Sequence, residues 1–390
     1  MAKGQLCYQC FERFKPHQVW FRCDNTTPEK NKTEACPIVT DPKRKEKGRR
    51  PFPLHGLTAA FTSQWMRPKH SYCDHCGVKS VTRICPHCHW RLPSEYGELA
   101  EHIIAVIGNS SSGKSHYFTV LVEKELKGAI GRAFGSGIDF GDNETKRLYL
   151  TEYYRPLFDG KHTIPPTSID NHRHRRLIFS LALSKLKVKL TFVFYDIAGE
   201  LLSRTGDDDA VTNATRYLWN ASGMIYLVNP NDVVQWAPYL QDVQARAEPP
   251  STLFGQVTRE FRKNTEIGTK QIQVPVAVCI SQFDRLRERR NDLGLSDELF
   301  DPVSTPIRGG RIDETRIKNE SDVLENFMRE TGGDVGNLVA LAEKDFSHTR
   351  YFGASALGDS PKGPEQSVDE VKPCRVGVPF FWILSRLGTF

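Results

Sequence analysis

One octet in the first third of the chain has the residue types and the spacing of a phosphate-binding loop. It fits the pattern G-x-x-x-x-G-K-[ST] and consists of Gly108, Asn109, Ser110, Ser111, Ser112, Gly113, Lys114 and Ser115. Its glycines let successive backbone N–H groups converge on phosphate oxygens. Lys114 would reach the β- and γ-phosphates, and the Ser115 hydroxyl would bind Mg²⁺. The octet therefore predicts a site for a nucleoside triphosphate and its magnesium ion.

The residues on either side of the octet predict the elements that must position it. Residues 103–107 are apolar and mostly β-branched, which is typical of a buried parallel strand. Residues 115–127 carry apolar side chains at helical spacing, and Gly128 is predicted to end that helix. The order strand, glycine loop, helix places a phosphate at the amino terminus of the helix.

A second group of candidate residues follows an apolar run at 192–195. Asp196 ends this run and would hold Mg²⁺ directly or through water, while Gly199 would let a backbone N–H approach the γ-phosphate. The run is predicted to be a strand paired antiparallel with residues 177–183. Further strands are predicted at 224–228, 274–280 and 351–354, helices at 143–158 and 379–387, a mobile link at 128–141 and a loop at 160–170.

Cysteines supply the third candidate chemistry, because eight of the ten lie within the first 88 residues. They include three C-x-x-C pairs, each of which forms a tight turn that can aim two thiolates at one tetrahedral ion. Eight thiolates suit two Cys₄ sites, so about two structural zinc ions per chain are expected. The alternative, reduced cysteines in an apolar core, fits poorly with so polar a segment.

The pairing of these cysteines is left open by the sequence. The simplest partition follows chain order and groups Cys7, Cys10, Cys23 and Cys36 in one site, and Cys73, Cys76, Cys85 and Cys88 in the other. In an alternative partition, Cys7 and Cys10 join one of the later pairs. His75, His87 and His89 lie in or beside these pairs and are expected to be bystanders.

Length and charge indicate two domains. The chain has 390 residues, and residues 1–97 hold 17 Lys and Arg against 8 Asp and Glu, whereas residues 98–390 hold 36 against 39. We therefore expect a small cysteine-rich, zinc-ribbon-like domain at 1–97 and an α/β domain at 98–390, with a mostly parallel sheet flanked by helices. No apolar run reaches the ~18 residues of a membrane span. Because the first ten residues show no signal-peptide core, a cytoplasmic protein is expected.

The basic excess is concentrated at residues 43–50, where six of eight residues are Lys or Arg. Such a run either contacts a polyanion, nucleic acid included, or forms a solvated loop. Both interpretations stay open at the level of sequence.

Over roughly residues 100–390, the chain resembles the TRAFAC class of GTPases. The octet matches the family's P-loop, and Thr167 resembles the switch I threonine that binds Mg²⁺, with Thr163 as the fallback. Residues 196–199 match the switch II motif D-x-x-G. Asp284 closes a segment that resembles the base-reading [NT]-K-x-D, and Ser355 and Ala356 resemble the loop that supports the base. The resemblance implies that GTP or GDP binds with Mg²⁺.

Two departures from the family pattern bear on activity. Gln282 replaces the lysine of the base-reading motif, although Asp284 would still accept hydrogen bonds from guanine. Glu200 stands where Ras-like enzymes use a glutamine to orient water, so hydrolysis is expected to be slow or to need a partner. Lys114, Thr167 and Glu200 are the residues expected to act in hydrolysis.

Together, the cysteine-rich front and the GTPase motifs resemble the zinc-ribbon-bearing double-GTPase family of bacterial conflict systems. The resemblance implies a GTP-driven switch whose zinc module docks protein partners of a multi-component system. Two other functions remain open: an ATPase or kinase built on the same P-loop, and a zinc-based nucleic-acid-binding protein with a nucleotide-dependent clamp.

Overall fold

The computed structural model describes residues 4–25, 35–54, 68–93, 95–166, 175–196, 216–241, 248–301, 307–308, 311–362 and 366–389. The chain divides into two compact units, Met1–Glu101 and His102–Phe390. The boundary expected from the sequence, between residues 97 and 98, lies four residues before this division.

The first unit is built from very short strands. They are β1 (Gln5–Leu6), β2 (Arg13–Phe14), β3 (Trp20–Arg22), β4 (Val39–Thr40), β5 (Lys47–Gly48), β6 (Pro51–Phe52), β7 (Ser71–Tyr72), β8 (Lys79–Ser80) and β9 (Thr82–Ile84). Strand β3 pairs antiparallel with both β6 and β9, and β1–β2, β4–β5 and β7–β8 form two-stranded hairpins. Strands of two or three residues bury little apolar surface, so a unit of this kind depends on additional cross-links.

The second unit is organised around a seven-stranded sheet with the order β11-β12-β13-β10-β14-β15-β18. Its strands, with a separate hairpin β16–β17, are β10 (Ala100–Gly108), β11 (Ser136–Phe140), β12 (Arg175–Leu183), β13 (Val188–Asp196), β14 (Gly223–Val228), β15 (Val276–Ile280), β16 (Ile307–Arg308), β17 (Arg311–Ile312) and β18 (Thr349–Gly353). Strands β10, β14, β15 and β18 run parallel, whereas β12 pairs antiparallel with β11 and β13. The predicted antiparallel hairpin before Asp196 is thus confirmed.

Helices cover this sheet. They are α1 (Lys114–Val120), α2 (Ile130–Phe134), α3 (Asn143–Tyr149), α4 (Pro250–Lys263), α5 (Glu314–Thr331), α6 (Gly333–Asp345) and α7 (Gly377–Arg386), and π-helical segments at Leu121–Ala129 and Leu150–Asp159 continue α1 and α3. Strands β14 and β15 are buried along their whole length, as expected for parallel strands covered on both faces. The expectation of a mostly parallel sheet flanked by helices is therefore confirmed.

An aromatic cluster joins the first helix to the antiparallel side of the sheet. The ring of Phe118 on α1 lies 5.6 Å from the ring of Phe179 and 4.4 Å from that of Phe194. The ring of Phe380 on α7 lies 5.4 Å from that of Phe192. Rings at these distances bury large apolar areas and fix the helices on the strands.

Of two predictions about the segment after α1, one is confirmed and one is wrong. The backbone of Gly128, with a φ of −85° and a ψ of −105°, is not helical and interrupts the helix there, and α2 begins at Ile130. Residues 128–141 are not a mobile link, because they form α2 and the outer strand β11. The glycines of this segment obscured Ile138 and Phe140, which pack against the core.

The packing of α7 on the sheet predicts that two glycine substitutions differ in their effect on the free energy of unfolding. A Cβ added at Gly223, at the start of β14, would lie 2.3 Å from Cγ2 of Ile383 on α7, whereas one added at Gly137 in β11 would meet nothing within 4 Å. Gly223→Ala is therefore expected to lower the free energy of unfolding by about 1–3 kcal/mol through overpacking. Gly137→Ala is expected to change it by less than about 1 kcal/mol. Urea unfolding of the two variants checks this, and equal losses would contradict the packing of α7 on β14.

Candidate functional site

The glycine-rich octet lies where strand β10 ends and helix α1 begins. Gly108 is the last residue of β10, and a Cβ there would lie 2.5 Å from Oγ of Ser112 and 2.8 Å from the carbonyl oxygen of Leu227. Gly113 precedes α1 with a φ of +83°, in the left-handed region that favours glycine. Both glycines are therefore required by the backbone path, one for lack of space and the other for its dihedral angle.

The Lys114 ammonium group is held inside this loop. Its Nζ donates to the carbonyl oxygen of Gly108 at 3.0 Å and to that of Asn109 at 2.9 Å. Ser112 is fully buried, and its Oγ has no hydrogen-bond partner among the described residues. The loop thus gathers a cation and a buried hydroxyl beside the amino terminus of a helix, which is the arrangement that receives phosphate oxygens.

The side-chain amides of Asn109, Asn229 and Gln282 hold the loop in place through hydrogen bonds. Nδ2 of Asn109 donates to Oδ2 of Asp232 at 3.0 Å. The carbonyl oxygen of Ser111 accepts from Nδ2 of Asn229 at 3.1 Å and from Nε2 of Gln282 at 3.2 Å. Asn229 and Asp232 are buried. Because Ser111 has a φ of +60°, these bonds hold a loop residue in a conformation that non-glycine residues rarely adopt.

Sequence reasoning missed Asn229 and Asp232, although a signal existed. Asn229 follows the last residue of β14, as Ser281 follows that of β15. In parallel sheets, ligands bind at the carboxyl ends of the strands, so polar residues directly after a buried strand are candidates for the site.

The segment expected to read the base meets the segment expected to support it. The side chain of Asp284, after β15, lies beside that of Ser355, after β18. Burial raises the pKa of Asp284, and the neighbouring Ser355, Arg287 and Arg285 oppose that rise. The rings of Phe283 and Phe300 stack at 4.4 Å, and the amide of Phe283 donates to the carbonyl oxygen of Ala354 at 3.1 Å. The structure therefore brings Asp284 and Ser355 together, and Ala356 follows Ser355 in the chain.

Gln282 connects these segments to the phosphate loop. Its φ of +49° turns the chain directly after β15, and its amide nitrogen reaches the carbonyl oxygen of Ser111. The residue that departs from the GTPase pattern therefore joins the segment expected to read the base to the octet through a neutral hydrogen bond.

Several predicted site residues lie outside the described part of the chain. Thr167, Gly199 and Glu200 belong to this group, and for Asp196 the structure gives only its position as the last residue of β13. The fallback Thr163 is described: its amide donates to the carbonyl oxygen of Gln366 at 3.1 Å. The next amide, of Ile164, donates to Nε2 of His116, so this loop is attached to the start of α1.

Eight cysteines form two compact groups in the first unit. One contains Cys7, Cys10, Cys85 and Cys88, and the other contains Cys23, Cys36, Cys73 and Cys76, with all Sγ atoms of a group within 4.8 Å of one another. The partition in chain order is therefore wrong, and the alternative in which Cys7 and Cys10 join a later pair is confirmed. The physical reason is the long-range pairing of Arg22 in β3 with Thr82 in β9, which places Cys23 beside the later cysteines.

The three C-x-x-C turns share one backbone geometry. In each, the amide four residues after the first cysteine donates to the carbonyl oxygen of that cysteine, at 2.9, 2.9 and 3.0 Å for the turns that begin at Cys7, Cys73 and Cys85. The residue at that position has a positive φ in every case: Phe11, Gly77 and His89. We call this geometry a knuckle turn. It orients both thiolates of a pair towards one point.

The thiols in these groups perturb one another. Hydrogen bonds with Cys10 and Cys7 lower the pKa of Cys85, whereas hydrogen bonds with Cys10 and Cys85 raise the pKa of Cys7. Thiols this close share protons that a cation would displace, because metals bind thiolates. Nδ1 of His89 lies 2.7 Å from Oδ1 of Asp41, while Nδ1 of His75 lies 4.0 Å from Sγ of Cys36.

Comparison with known proteins finds no family model that matches the chain. A candidate ESX-1 scaffolding and assembly protein, SaeC of Mycolicibacterium smegmatis, is 28% identical over 323 residues, covering 79% of this chain and 80% of the relative. This identity is too low to assign the chain to a family.

Similar solved structures include one described as a GTP-binding protein and two that hold a guanine nucleotide or its analogue. A candidate nucleolar GTP-binding protein 1 of Plasmodium falciparum has a TM-score of 0.33 at 10% identity, over 76% of this chain and 90% of its own. Aquifex aeolicus Era bound to GDP·AlF4⁻ has a TM-score of 0.33 at 12% identity, over 74% and 57%. Elongation factor SelB of Methanococcus maripaludis, in complex with GppNHp, has a TM-score of 0.28 at 10% identity, over 74% and 34%.

Within the described ranges, every helix is too short or too polar to cross a bilayer.

The pairing of the cysteines predicts the metal content of two double variants. Cys7→Ser with Cys85→Ser damages one group only, so about one of two bound ions should remain. Cys7→Ser with Cys23→Ser damages both groups, so both ions should be lost. Elemental analysis of the purified proteins measures this. The reverse result, with no ion in the first variant and one in the second, would restore the pairing in chain order.

Proposed function

We propose that this chain is a GTP-binding switch that hydrolyses GTP slowly or with the help of a partner. One observation carries the proposal: Gln282 joins the phosphate-binding octet to the segment that holds Asp284 against Ser355. A phosphate site and a base site would thus lie at the same edge of the sheet, within reach of one nucleotide.

The phosphates would bind to the octet. Backbone N–H groups of Gly108 to Ser115 would surround them, and Lys114 would leave its two carbonyl partners for the β- and γ-phosphates. Ser115, Asp196 and Thr167 would contribute to the Mg²⁺ shell. These groups supply positioning and charge, which are the main contributions of a protein to phosphoryl transfer.

The base would bind between the ends of β15 and β18. Asp284 would accept from the two N–H donors on the Watson–Crick edge of guanine, while the backbone at Ser355 and Ala356 would support the ring. A carboxylate is the matching partner for those donors, because an adenine presents an acceptor at one of the two positions. The guanine preference would therefore depend on Asp284 staying ionised in a partly buried position.

Switching would follow from the loops that carry Thr167 and Gly199. Both residues would contact the γ-phosphate side of the site, directly or through Mg²⁺, and would lose that contact after hydrolysis. Glu200 would accept a hydrogen bond from the attacking water. The proximity of two anions, the Glu200 carboxylate and the γ-phosphate, accounts for the slow hydrolysis that we propose.

Zinc is the metal that the two cysteine groups fit best. In a tetrahedral site with Zn–S bonds of ~2.3 Å, neighbouring sulfur atoms lie about 3.8 Å apart. The Sγ atoms of Cys7 and Cys88 are 3.7 Å apart, and those of Cys10 and Cys85 are 3.8 Å apart. In the second group, the corresponding separations are 3.6 Å for Cys23 and Cys76 and 3.9 Å for Cys36 and Cys73. We therefore propose two structural zinc ions, each with four thiolate ligands.

The role that we propose for the switch is assembly with protein partners. The related SaeC protein is described as a candidate ESX-1 scaffolding and assembly protein. A GTP-dependent subunit of a multi-component system agrees with that description and with the resemblance to the zinc-ribbon-bearing double-GTPase family. The zinc unit would be the docking module.

Loss of the P-loop lysine tests the phosphate site. Lys114→Ala is expected to weaken GTP binding by at least about tenfold, because a charge-assisted contact contributes about 1.5–3 kcal/mol. Lys146→Ala, on the exposed side of α3, removes the same charge and serves as the control, with an expected change of less than about twofold. Fluorescence titration with a labelled GTP analogue measures both. Equal affinities for wild type and Lys114→Ala would refute the phosphate site.

Neutralisation of Asp284 tests the base site. Asp284→Asn is expected to lower GTP affinity at least about tenfold while ATP affinity stays the same, because the amide can accept only one of two guanine donors. Asp292→Asn, at an exposed surface carboxylate, is the matched control and should leave the ratio unchanged. Competition titrations with GTP and ATP give the ratio. A wild-type protein that prefers ATP would favour the ATPase alternative on the same P-loop.

A further inference from the structure

A fourth knuckle turn lies in the first unit, and it contains no cysteine. The amide of Lys45 donates to the carbonyl oxygen of Asp41 at 2.8 Å, and the amide of Asp41 donates to that of Glu46 at 2.9 Å. Lys45 has a φ of +57°, as Phe11 has at the same position of the first knuckle turn. Asp41 therefore stands where the other three turns have their first cysteine.

The carboxylate of Asp41 also reproduces the contacts of a knuckle thiolate. Its Oδ1 accepts from the amide of Lys43 at 3.0 Å, as Sγ of Cys7 accepts from the amide of Gln9 at 3.4 Å. Both contacts join the first ligand position to the residue two places further on. The turn thus keeps the internal hydrogen bonds of a metal knuckle.

In this turn, Asp41 forms an ion pair at the position where the other turns have the first cysteine of a proposed metal site. Asp41 is 1% exposed; its Oδ2 lies 2.7 Å from Nη2 of Arg22, and its Oδ1 lies 2.7 Å from Nδ1 of His89. Nη1 of Arg22 donates in addition to the carbonyl oxygen of Arg49. A buried carboxylate with this many partners fixes the backbone between β4 and β5, because breaking any one of them leaves a buried charge uncompensated.

The fixed turn presents cations outward. Residues 43–47 are all exposed, and in the described part of the chain Lys43, Lys45 and Lys47 have no carboxylate partner. Arg44 is paired with Glu46 in the same turn. The basic run at 43–50 therefore contains three exposed ammonium groups, of Lys43, Lys45 and Lys47, without a carboxylate partner in the described part of the chain.

We propose that this basic knuckle, residues 41–50, binds the sugar-phosphate backbone of nucleic acid without reading its sequence. Lysines bind phosphates as point charges and need no shaped pocket, and the attraction comes largely from the release of counterions. Residues 41–50 contain no aromatic side chain on which a base could stack. They also contain no large apolar side chain of the kind that inserts into a membrane or fills the centre of a protein interface.

A triple variant tests the basic knuckle. Lys43→Gln, Lys45→Asn and Lys47→Gln remove the three uncompensated charges, and asparagine tolerates the positive φ at position 45. Fluorescence anisotropy with a labelled single-stranded RNA of about 20 nucleotides should show affinity reduced at least about tenfold at low salt. The slope of log K against log salt concentration should fall in magnitude by about 2, since each lost phosphate contact removes about 0.7.

The matched control removes the same charge from the second unit. Lys318→Gln, Lys362→Gln and Lys372→Gln break exposed ion pairs, so stability changes little and RNA affinity should stay within about twofold of wild type. Lys114→Ala should also bind RNA normally, which separates this surface from the nucleotide site. The triple variant should match wild type in metal content and in thermal unfolding.

Several results would overturn the basic knuckle as a nucleic-acid surface. The first is that wild type binds neither the RNA nor a DNA duplex of the same length. The second is that wild type and the triple variant bind RNA with equal affinity. The third is that the control variant loses as much RNA affinity as the triple variant does. Binding to vesicles that contain phosphatidylserine, with no binding to either nucleic acid, would assign the surface to membranes instead.

Discussion

The parallel register of four strands is the constraint on which the candidate site depends. Strands β10, β14, β15 and β18 run in one direction, so the residues that follow each of them meet at one edge of the sheet. The octet follows β10, Asn229 follows β14, and Ser281 follows β15. Hydrogen bonds from Asn229 and Gln282 to one carbonyl oxygen, that of Ser111, then join three of these strand ends into a single support. The octet gains its fixed shape from strands that are distant in sequence.

The first unit obtains its order by a different means. Its strands have two or three residues, and its turns are held by thiols or, at Asp41, by a buried ion pair. Three cysteine turns and one aspartate turn share a backbone hydrogen-bond pattern, so the same local geometry supports a cysteine group in some places and a charged surface in another. The backbone shape of a knuckle turn therefore does not depend on whether its first side chain is a thiol or a carboxylate. A turn of this kind keeps its shape when the ligand changes, provided that another partner neutralises the first position.

Local patterns in the sequence predict the strands and the P-loop, and long-range pairing explains what they miss. The apolar runs at 103–107 and 177–183 were found because a buried strand needs no partner to be recognised. The grouping of Cys7 with Cys85 depends on the pairing of β3 with β9, which no local spacing encodes. Asp41 was missed because its turn is defined by backbone hydrogen bonds, and Asn229 because one polar residue after a strand carries little signal by itself. Strand β11 was hidden by the glycines around it.

The nested order of the cysteine groups has a consequence for the synthesis of the chain. One group encloses the other in sequence, since Cys7 and Cys88 belong to the outer group and Cys23 and Cys76 to the inner one. A ribosome releases residue 76 before residue 88, so the inner group can be complete while the outer one still lacks two thiols. Closing the inner group first shortens the effective loop between Cys10 and Cys85, which lowers the entropic cost of the second closure. If both groups bind zinc as we propose, the nascent chain would load its metal from the inner group outwards.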